Sequence, residues 1–331
     1  GHLADAREHG NDVVAHEVAA PELTLAHHLG RFVRHGGQEG VKFFGHGGHD
    51  GKSGQVEAPG VRGIIMARDM STLPNSWPLV AAPDLHPRPF VTETLGFRHL
   101  HFSMADVQSS MNLMQPDALV LEYTRTMMGC LLLQPGPQAL AIIGLGGGSL
   151  VKFCHRHLQG TRLTVVELNP HVLALRETFQ VPVDDERLTV LEGDGARWVQ
   201  QVPGALDVLM LDGFDTGGIV PEALCSVDFY QHCHRALRPT GVLVVNLNSD
   251  HPDCEVCIER LRQVFGGEVL VVHESETPNC TVFASRGAWP TKWAKGRPAC
   301  PAGLSERAWD TLMPEVSRVA DALRQAVRGR S

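Results

Sequence analysis

No apolar run in this 331-residue chain approaches the ~18 residues that a membrane-crossing helix needs. A charged, apolar and small-residue series of the secretory type is missing too. Positive charge is not in excess: 29 Lys and Arg stand against 37 Asp and Glu, a formal net charge of −8. That sign argues against a polyanion such as nucleic acid as partner and suits a cationic small molecule better. The eight cysteines include no repeated pair at metal-ligand spacing and read as reduced thiols. The one close pair, Cys254 and Cys257, has no second pair to complete a zinc site. These absences lead to the expectation of a cytoplasmic protein with no metal, no nucleic acid and no membrane among its partners.

The first 58 residues have little to bury. They hold eight of the 18 histidines (His2, His9, His16, His27, His28, His35, His46, His49) and a glycine-rich run from Gly36 to Gly54. A tail is expected there, because such a composition cannot offset the entropy of ordering. Residues 59–125 read as a small β-rich domain and linker, with a strand-like run from Gly63 to Ala67 and prolines from Pro74 onward that exclude a regular helix. Residues 126–288 read as a Rossmann-like domain, and 289–331 as an extension with an amphipathic helix from Ser305 to about Val327. Its stripe of Trp309, Leu312, Val316, Val319, Ala320, Leu323 and Val327 is expected to pack on the core or on a second subunit. The 43% of hydrophobic residues can supply a sizeable core.

The most informative stretch is Ala139 to Glu167, ALAIIGLGGGSLVKFCHRHLQGTRLTVVE: an apolar strand, a glycine turn, a helix, and a second apolar strand ending on a carboxylate. This order builds a nucleoside pocket in α/β proteins. Gly144, Gly146 and Gly148 let backbone approach a ligand, and Glu167 can accept both ribose hydroxyls. A glycine string can also merely turn the chain, and a nicotinamide dinucleotide is a competing ligand. The dinucleotide fingerprint wants Gly or Ala where this chain has Ser149.

A third apolar run, Leu188 to Glu192, leads to Gly193 and Asp194, and a carboxylate there can accept from an adenine amino group. A fourth, Asp207 to Leu211, ends in Asp212, Gly213, Phe214 and Asp215. Ligands of open parallel sheets lie beyond the carboxyl ends of the strands, so these acids gather at one candidate site. Helices are expected at Leu150–Leu158, Pro170–Phe179, Gly195–Val202, Val227–Leu237 and Asp253–Phe265. Further strands are expected at Gly241–Asn246, Val269–His273 and Thr281–Ser285. The last two are joined by a short polar loop and should pair antiparallel, unlike the sheet of a dinucleotide dehydrogenase.

From about Phe90 to Ser285 the chain resembles the spermidine synthase family of aminopropyltransferases. The residues that carry the likeness are IIGLGGGSL, VVELNPHVLAL and LMLDGFDTGGIVPEALCSVDFYQHCHRALRPTGVLVVNL, with a preceding hairpin at Phe90–Glu93 and Phe97–Phe102 leading to Gln108. The resemblance implies a class I methyltransferase sheet, α/β and Rossmann-like, of seven strands with an antiparallel edge hairpin, preceded by a small β-domain. It implies a homodimer, and decarboxylated S-adenosylmethionine or S-adenosylmethionine itself as co-substrate. Gln108, Gly144, Gly146, Gly147, Gly148, Glu167, Leu168, Asp194, Gly195 and Asp212 would then line the adenosyl site. Asp212 would be the base, and Asp215 would anchor an amine.

Three departures bear on the substrate. Gly147 stands where the family's turn has an aspartate, with Leu145 and Ser149 also off pattern, and Thr216 replaces a usual proline. The family's Tyr-His-Glu triplet falls on Thr124, Arg125 and Thr126, where a cation would not help to hold a diamine. Glu122 and Tyr123, two places away, are the expected stand-ins.

An amine with pKa near 10 must lose a proton before it can displace a thioether, and a carboxylate within reach can take it. Aminopropyl transfer to an amine is therefore the expected reaction. Methyl transfer from intact S-adenosylmethionine is the rival, since a glycine turn without its aspartate suits the carboxylate of that sulfonium. An adenosyl-binding homologue without catalysis is the third reading.

Overall fold

The computed structural model describes residues 86–104, 106–213, 220–289 and 297–328. The expected tail, the strand-like run at 63–67, the proline-rich segment up to residue 85, and Asp215 with Thr216 lie outside the described residues. Three antiparallel strands open the described chain: β1 (Phe90–Thr94), β2 (Phe97–His101) and β3 (Ser109–Asn112). They form the expected hairpin plus one more strand, and Gln108 sits immediately before β3, its N–H donating to the Leu100 carbonyl at 2.9 Å.

Helix α1 (Glu122–Met127) follows and continues as a 3-10 turn over Met128–Leu132. Strand and helix then alternate as β4 (Ala139–Ile143), α2 (Ser149–His157), β5 (Arg162–Glu167), α3 (Pro170–Leu173), β6 (Leu188–Glu192), α4 (Gly195–Trp198) and β7 (Leu206–Leu211). The chain closes with α5 (Val227–Ala236), β8 (Leu237–Asn248), α6 (Asp253–Phe265), β9 (Val269–His273), β10 (Asn279–Ser285) and α7 (Glu306–Arg328). The large sheet has the order β6-β5-β4-β7-β8-β10-β9. Its first five strands are parallel, and β10 runs antiparallel to both β8 and β9.

The side-chain pattern explains the layers. Every residue of β4 is buried, with Leu140 and Ile142 in one apolar cluster and Ala139, Ala141 and Ile143 in the other, as a parallel strand covered on both faces requires. Helix starts follow local chemistry. The side chains of Asn169, Asp194 and Ser226 accept from the N–H groups of His171, Ala196 and Phe229, and Pro170 occupies the first turn of α3.

Several boundaries differ from expectation, two of them by a long-range cause. The helix expected over Pro170–Phe179 ends at Leu173 and gives way to tight turns, because Phe179 and Val181 tuck beneath the glycine turn and Arg98 takes the Thr178 carbonyl. The strand expected from Gly241 begins at Leu237, which pairs with Leu206 before a register shift, so Pro239 lies in the strand.

Helix α7 packs on the core rather than leaving its stripe free: Trp309, Leu312, Val316, Val319, Ala320 and Leu323 are all buried. A Cβ on Gly129, just after α1, would come within 2.9 Å of Val319, so the two segments touch at backbone range. No helix among the described residues is long and apolar enough to cross a membrane. The fully buried indole of Trp309 also donates to the Pro298 carbonyl at 3.2 Å. Trp309→Ala should lower the unfolding free energy by about 3–5 kcal/mol, read as an earlier urea midpoint at unchanged slope.

Candidate active site

The carboxyl ends of β6, β5, β4 and β7 lie side by side, and backbone bonds join them beyond the last paired residues. Gly193 N–H donates to the Glu167 carbonyl, Gly144 N–H to that of Val166, and Asp212 N–H to that of Ile143, each at 2.9 Å. Asp194, Glu167, the glycine turn and Asp212 therefore follow one another along one rim.

Most of the turn's glycines answer to neighbours within the protein. Gly144 has φ +97°, and a Cβ there would collide with the carbonyl oxygen of Asp212. Gly148 has φ +67°, and its Cβ would run into Val181. At Gly147 the Cβ would lie 2.6 Å from Ser109 Oγ and 2.9 Å from Phe179, and at Gly195 it would lie 2.5 Å from Ile143. Only Gly146 of the turn leaves ordinary space, with Ser109 Cβ at 3.9 Å. Close packing of the strand ends by itself requires residues without a Cβ at Gly144, Gly147, Gly148 and Gly195.

Glu167 is buried, and its two oxygens accept from Leu145 N–H at 2.8 Å and Asn169 N–H at 2.7 Å. Each oxygen keeps a second lone pair. Leu168 beside it exposes 56% of its surface. Asp194 caps α4 through Oδ1, and its Oδ2 lies 3.5 Å from Arg197 Nε.

Asp212 is the most constrained acid. Asn246 Nδ2 donates to its Oδ1 at 3.0 Å and the Tyr123 hydroxyl to its Oδ2 at 3.2 Å, while Asn279 Nδ2 donates to Asn246 Oδ1 at 3.0 Å. Burial raises the Asp212 carboxyl above its ordinary range, and the two donors only partly offset this. Burial and the adjacent Asp212 charge push the Tyr123 hydroxyl well above its ordinary value, so it remains a donor.

The stand-ins for the diamine triplet separate. Tyr123 reaches Asp212, but Glu122 turns away to Ser275, Glu276 and Arg318. Although burial pushes the Glu122 carboxyl up, those hydrogen bonds bring it down to about 2. Arg125 is also occupied elsewhere, bonding Glu315 at 2.8 Å and the carbonyls of Leu119 and Val120 at 2.9 Å. The cation expected near the amine is therefore tied to other partners. In the CxxC pair, Cys254 faces Cys280 at 3.6 Å between sulfurs rather than Cys257. Asn246, Asn279 and Lys152 were missed by sequence reasoning. A lone asparagine in the apolar run VLVVNL and a lone lysine in SLVKFC were the available signals.

The match to a family model described as Spermine/spermidine synthase domain spans residues 120–269. A polyamine aminopropyltransferase of Chromobacterium violaceum is 39% identical over 206 residues, covering 62% of this chain and 78% of that protein. One from Neisseria meningitidis serogroup A is 39% identical over 196 residues, covering 59% and 74%. The chain belongs to the spermidine synthase family. A solved structure of a probable spermidine synthase from Corynebacterium glutamicum has the same fold, with TM-score 0.54 at 20% identity over 71% of this chain and 91% of that one. An eEF1A lysine and N-terminal methyltransferase of Xenopus laevis is 32% identical over 145 residues, 39% of this chain and 21% of that protein. In this spermidine synthase family member the matched residues include Tyr123, Glu167, Asp194 and Asp212, whereas Gln108 and α7 lie outside them.

One buried cation supports the turn. Lys152 Nζ donates to the carbonyls of Gly147 at 3.0 Å and Phe179 at 2.8 Å. Burial lowers its pKa to about 7, with Asp117 opposing and Arg98 adding to the shift. The unfolded chain holds this proton up to about pH 10, so unfolding takes up a proton between pH 7 and 10 and Lys152 makes stability rise with pH across that window. Lys152→Met should remove this rise. The difference in unfolding free energy between wild type and variant, followed by urea titration from pH 6 to 10, should increase with pH.

Proposed function

We propose that the chain transfers an aminopropyl group from decarboxylated S-adenosylmethionine to an amine, with Asp212 as the base. The observation that carries this reading is the Asp212 carboxylate, raised by burial and held from both sides by Tyr123 and Asn246 beside the glycine turn. A carboxylate raised in this way accepts a proton from an ammonium more readily than an exposed one. As Asp212 takes the proton, the freed nitrogen bonds to the carbon next to the sulfonium sulfur. The carbon–sulfur bond breaks, its electron pair stays on sulfur, and methylthioadenosine leaves. Base assistance of this kind is worth about 10²–10⁴ in rate, and alignment of nitrogen, carbon and sulfur supplies more.

The remaining residues divide the work of binding. Glu167 accepts the ribose hydroxyls with the lone pairs its backbone donors leave free, Asp194 takes the adenine amino group, and Leu168 with Gly195 lies against the ring. Gln108 and the turn Gly144, Gly146, Gly147 and Gly148 border the thioether end. Asp215 anchors the acceptor's second charge. Glu122 is not assigned to the amine, since its carboxylate already serves Ser275 and Arg318.

The filled space at Gly147 favours a second reading. A Cβ there would press on Ser109 and Phe179, and with glycine in place the side chain that would repel a carboxylate is absent, so methyl transfer from intact S-adenosylmethionine gains support. The paired hydrogen bonds on Asp212 keep aminopropyl transfer ahead. Incubation with each sulfonium and a panel of diamines should release methylthioadenosine from the decarboxylated one and leave the intact one unspent. Release of S-adenosylhomocysteine instead would establish the methyl reading. Asp212→Asn should cut turnover by about 10²-fold or more while nucleoside affinity stays level, and an unimpaired variant removes Asp212 from the mechanism. Wild-type turnover should decline on the acid side at a pH above the ordinary carboxylate value, as Asp212 becomes protonated.

A further inference from the structure

The two donors that hold Asp212 come from different segments. Tyr123 is on α1, and Asn279 acts through Asn246 from the start of β10, after the β9–β10 loop. Those two segments are joined by a buried charge cluster. Arg318 of α7 donates through Nη1 to Glu122 Oε1 at 2.6 Å and through Nη2 to Glu274 Oε2 at 2.7 Å, with Thr126 Oγ1 at 3.0 Å. Glu122 immediately precedes Tyr123, and its carboxylate also accepts from Ser275 N–H at 3.0 Å, Ser275 Oγ at 2.6 Å and Glu276 N–H at 2.8 Å. Glu274 is fastened by the hydroxyls of Thr126 at 2.7 Å and Thr281 at 2.9 Å, and its N–H donates to the Asn279 carbonyl at 2.9 Å.

We propose that Arg318 is a positioning residue for the reaction: by bridging Glu122 and Glu274 it locks α1 to the β9–β10 loop and so sets Tyr123 and Asn279 around Asp212. This rests on Asp212 being the base. Both carboxylate side chains are almost completely enclosed, at 3% and 0% exposure, so without a shared cation two negative charges would face each other in the interior. A guanidinium can span both because its fork presents separate N–H groups at fixed geometry, which an ammonium cannot reproduce. The cluster touches none of the proposed adenosyl residues, so its effect should appear in the chemical step rather than in nucleoside binding.

The test uses the whole 331-residue chain in two variants. Arg318→Lys keeps the charge and loses the fork. The triple variant Glu122→Gln, Glu274→Gln, Arg318→Met removes the charges at nearly constant volume, a replacement that buried ion clusters commonly tolerate without loss of stability. In both, kcat should fall about tenfold to a hundredfold, the scale of a displaced base, while KM for the amine and Kd for methylthioadenosine hold steady. The acid limb of kcat/KM should move to higher pH, because loosened Tyr123 and Asn246 no longer offset the burial of Asp212. Tyr123→Phe should move it in the same direction. A triple variant with the wild-type kcat and an unmoved acid limb overturns the proposal. A wild-type chain without turnover overturns the reaction instead. The clamp is then read from the Asp212 carboxyl titration by 13C NMR, where unchanged values in both variants refute it and upward shifts sustain it.

Discussion

The backbone approach between Gly144 and Asp212 is the constraint from which the rest of the site follows. Two neighbouring parallel strands end at the same level, Asp212 N–H closes onto Ile143, and the next residue of β4 must turn away without a Cβ because the Asp212 carbonyl fills that space. Only glycine reaches φ +97° there without strain. That one contact starts the glycine turn and fixes the backbone of the residue whose side chain does the proposed chemistry. It also leaves the turn beside Glu167, whose carboxylate secures the Leu145 N–H. A rim assembled from strand ends positions its groups more closely than loops of equal length would.

The protein handles buried carboxylates in two contrasting ways. Glu122 receives so many donors that it stays ionised far below the ordinary range, which makes it an anchor and a poor proton acceptor. Asp212 receives two neutral donors, and burial outweighs them, so its proton affinity rises. Glu274 follows Asp212: burial raises it despite the hydroxyls of Thr126 and Thr281 and the charge of Arg318. Neighbouring acids of the same chemical type thus acquire different roles from the number and charge of their donors.

The sheet and most of its rim were legible in the sequence because they are written in short-range patterns. Pro170 after Asn169, Asp194 before Gly195, and the apolar runs into Glu167 and Asp212 each act within a few residues, and the structure places them as expected. The turns after Leu173 were not legible, since they depend on Phe179 fitting beneath Gly147. Nor was the fate of Arg125, whose partner Glu315 is 190 residues away. Glu122 and Tyr123 looked interchangeable as stand-ins for the amine-holding triplet. Adjacent residues on a helix point about 100° apart, so one met Asp212 and the other met α7, and no local pattern distinguishes the two.

The position of α7 gives the extension outside the family-model match a physical reason to be retained. Its apolar stripe alone would hold it to the core, since Trp309, Leu312, Val316 and Val319 are all buried. A purely structural helix would gain nothing by also burying Glu315 and half-burying Arg318 beside α1, because desolvating such charges roughly cancels the attraction between them. What ionic contacts supply and apolar ones do not is direction. Hydrophobic packing tolerates small slides of one helix along another, whereas a forked guanidinium on two carboxylates fixes register to a fraction of an ångström. Tyr123, one residue beyond Glu122, needs that accuracy, because its hydroxyl lies 3.2 Å from Asp212 and a slide along α1 would break the contact.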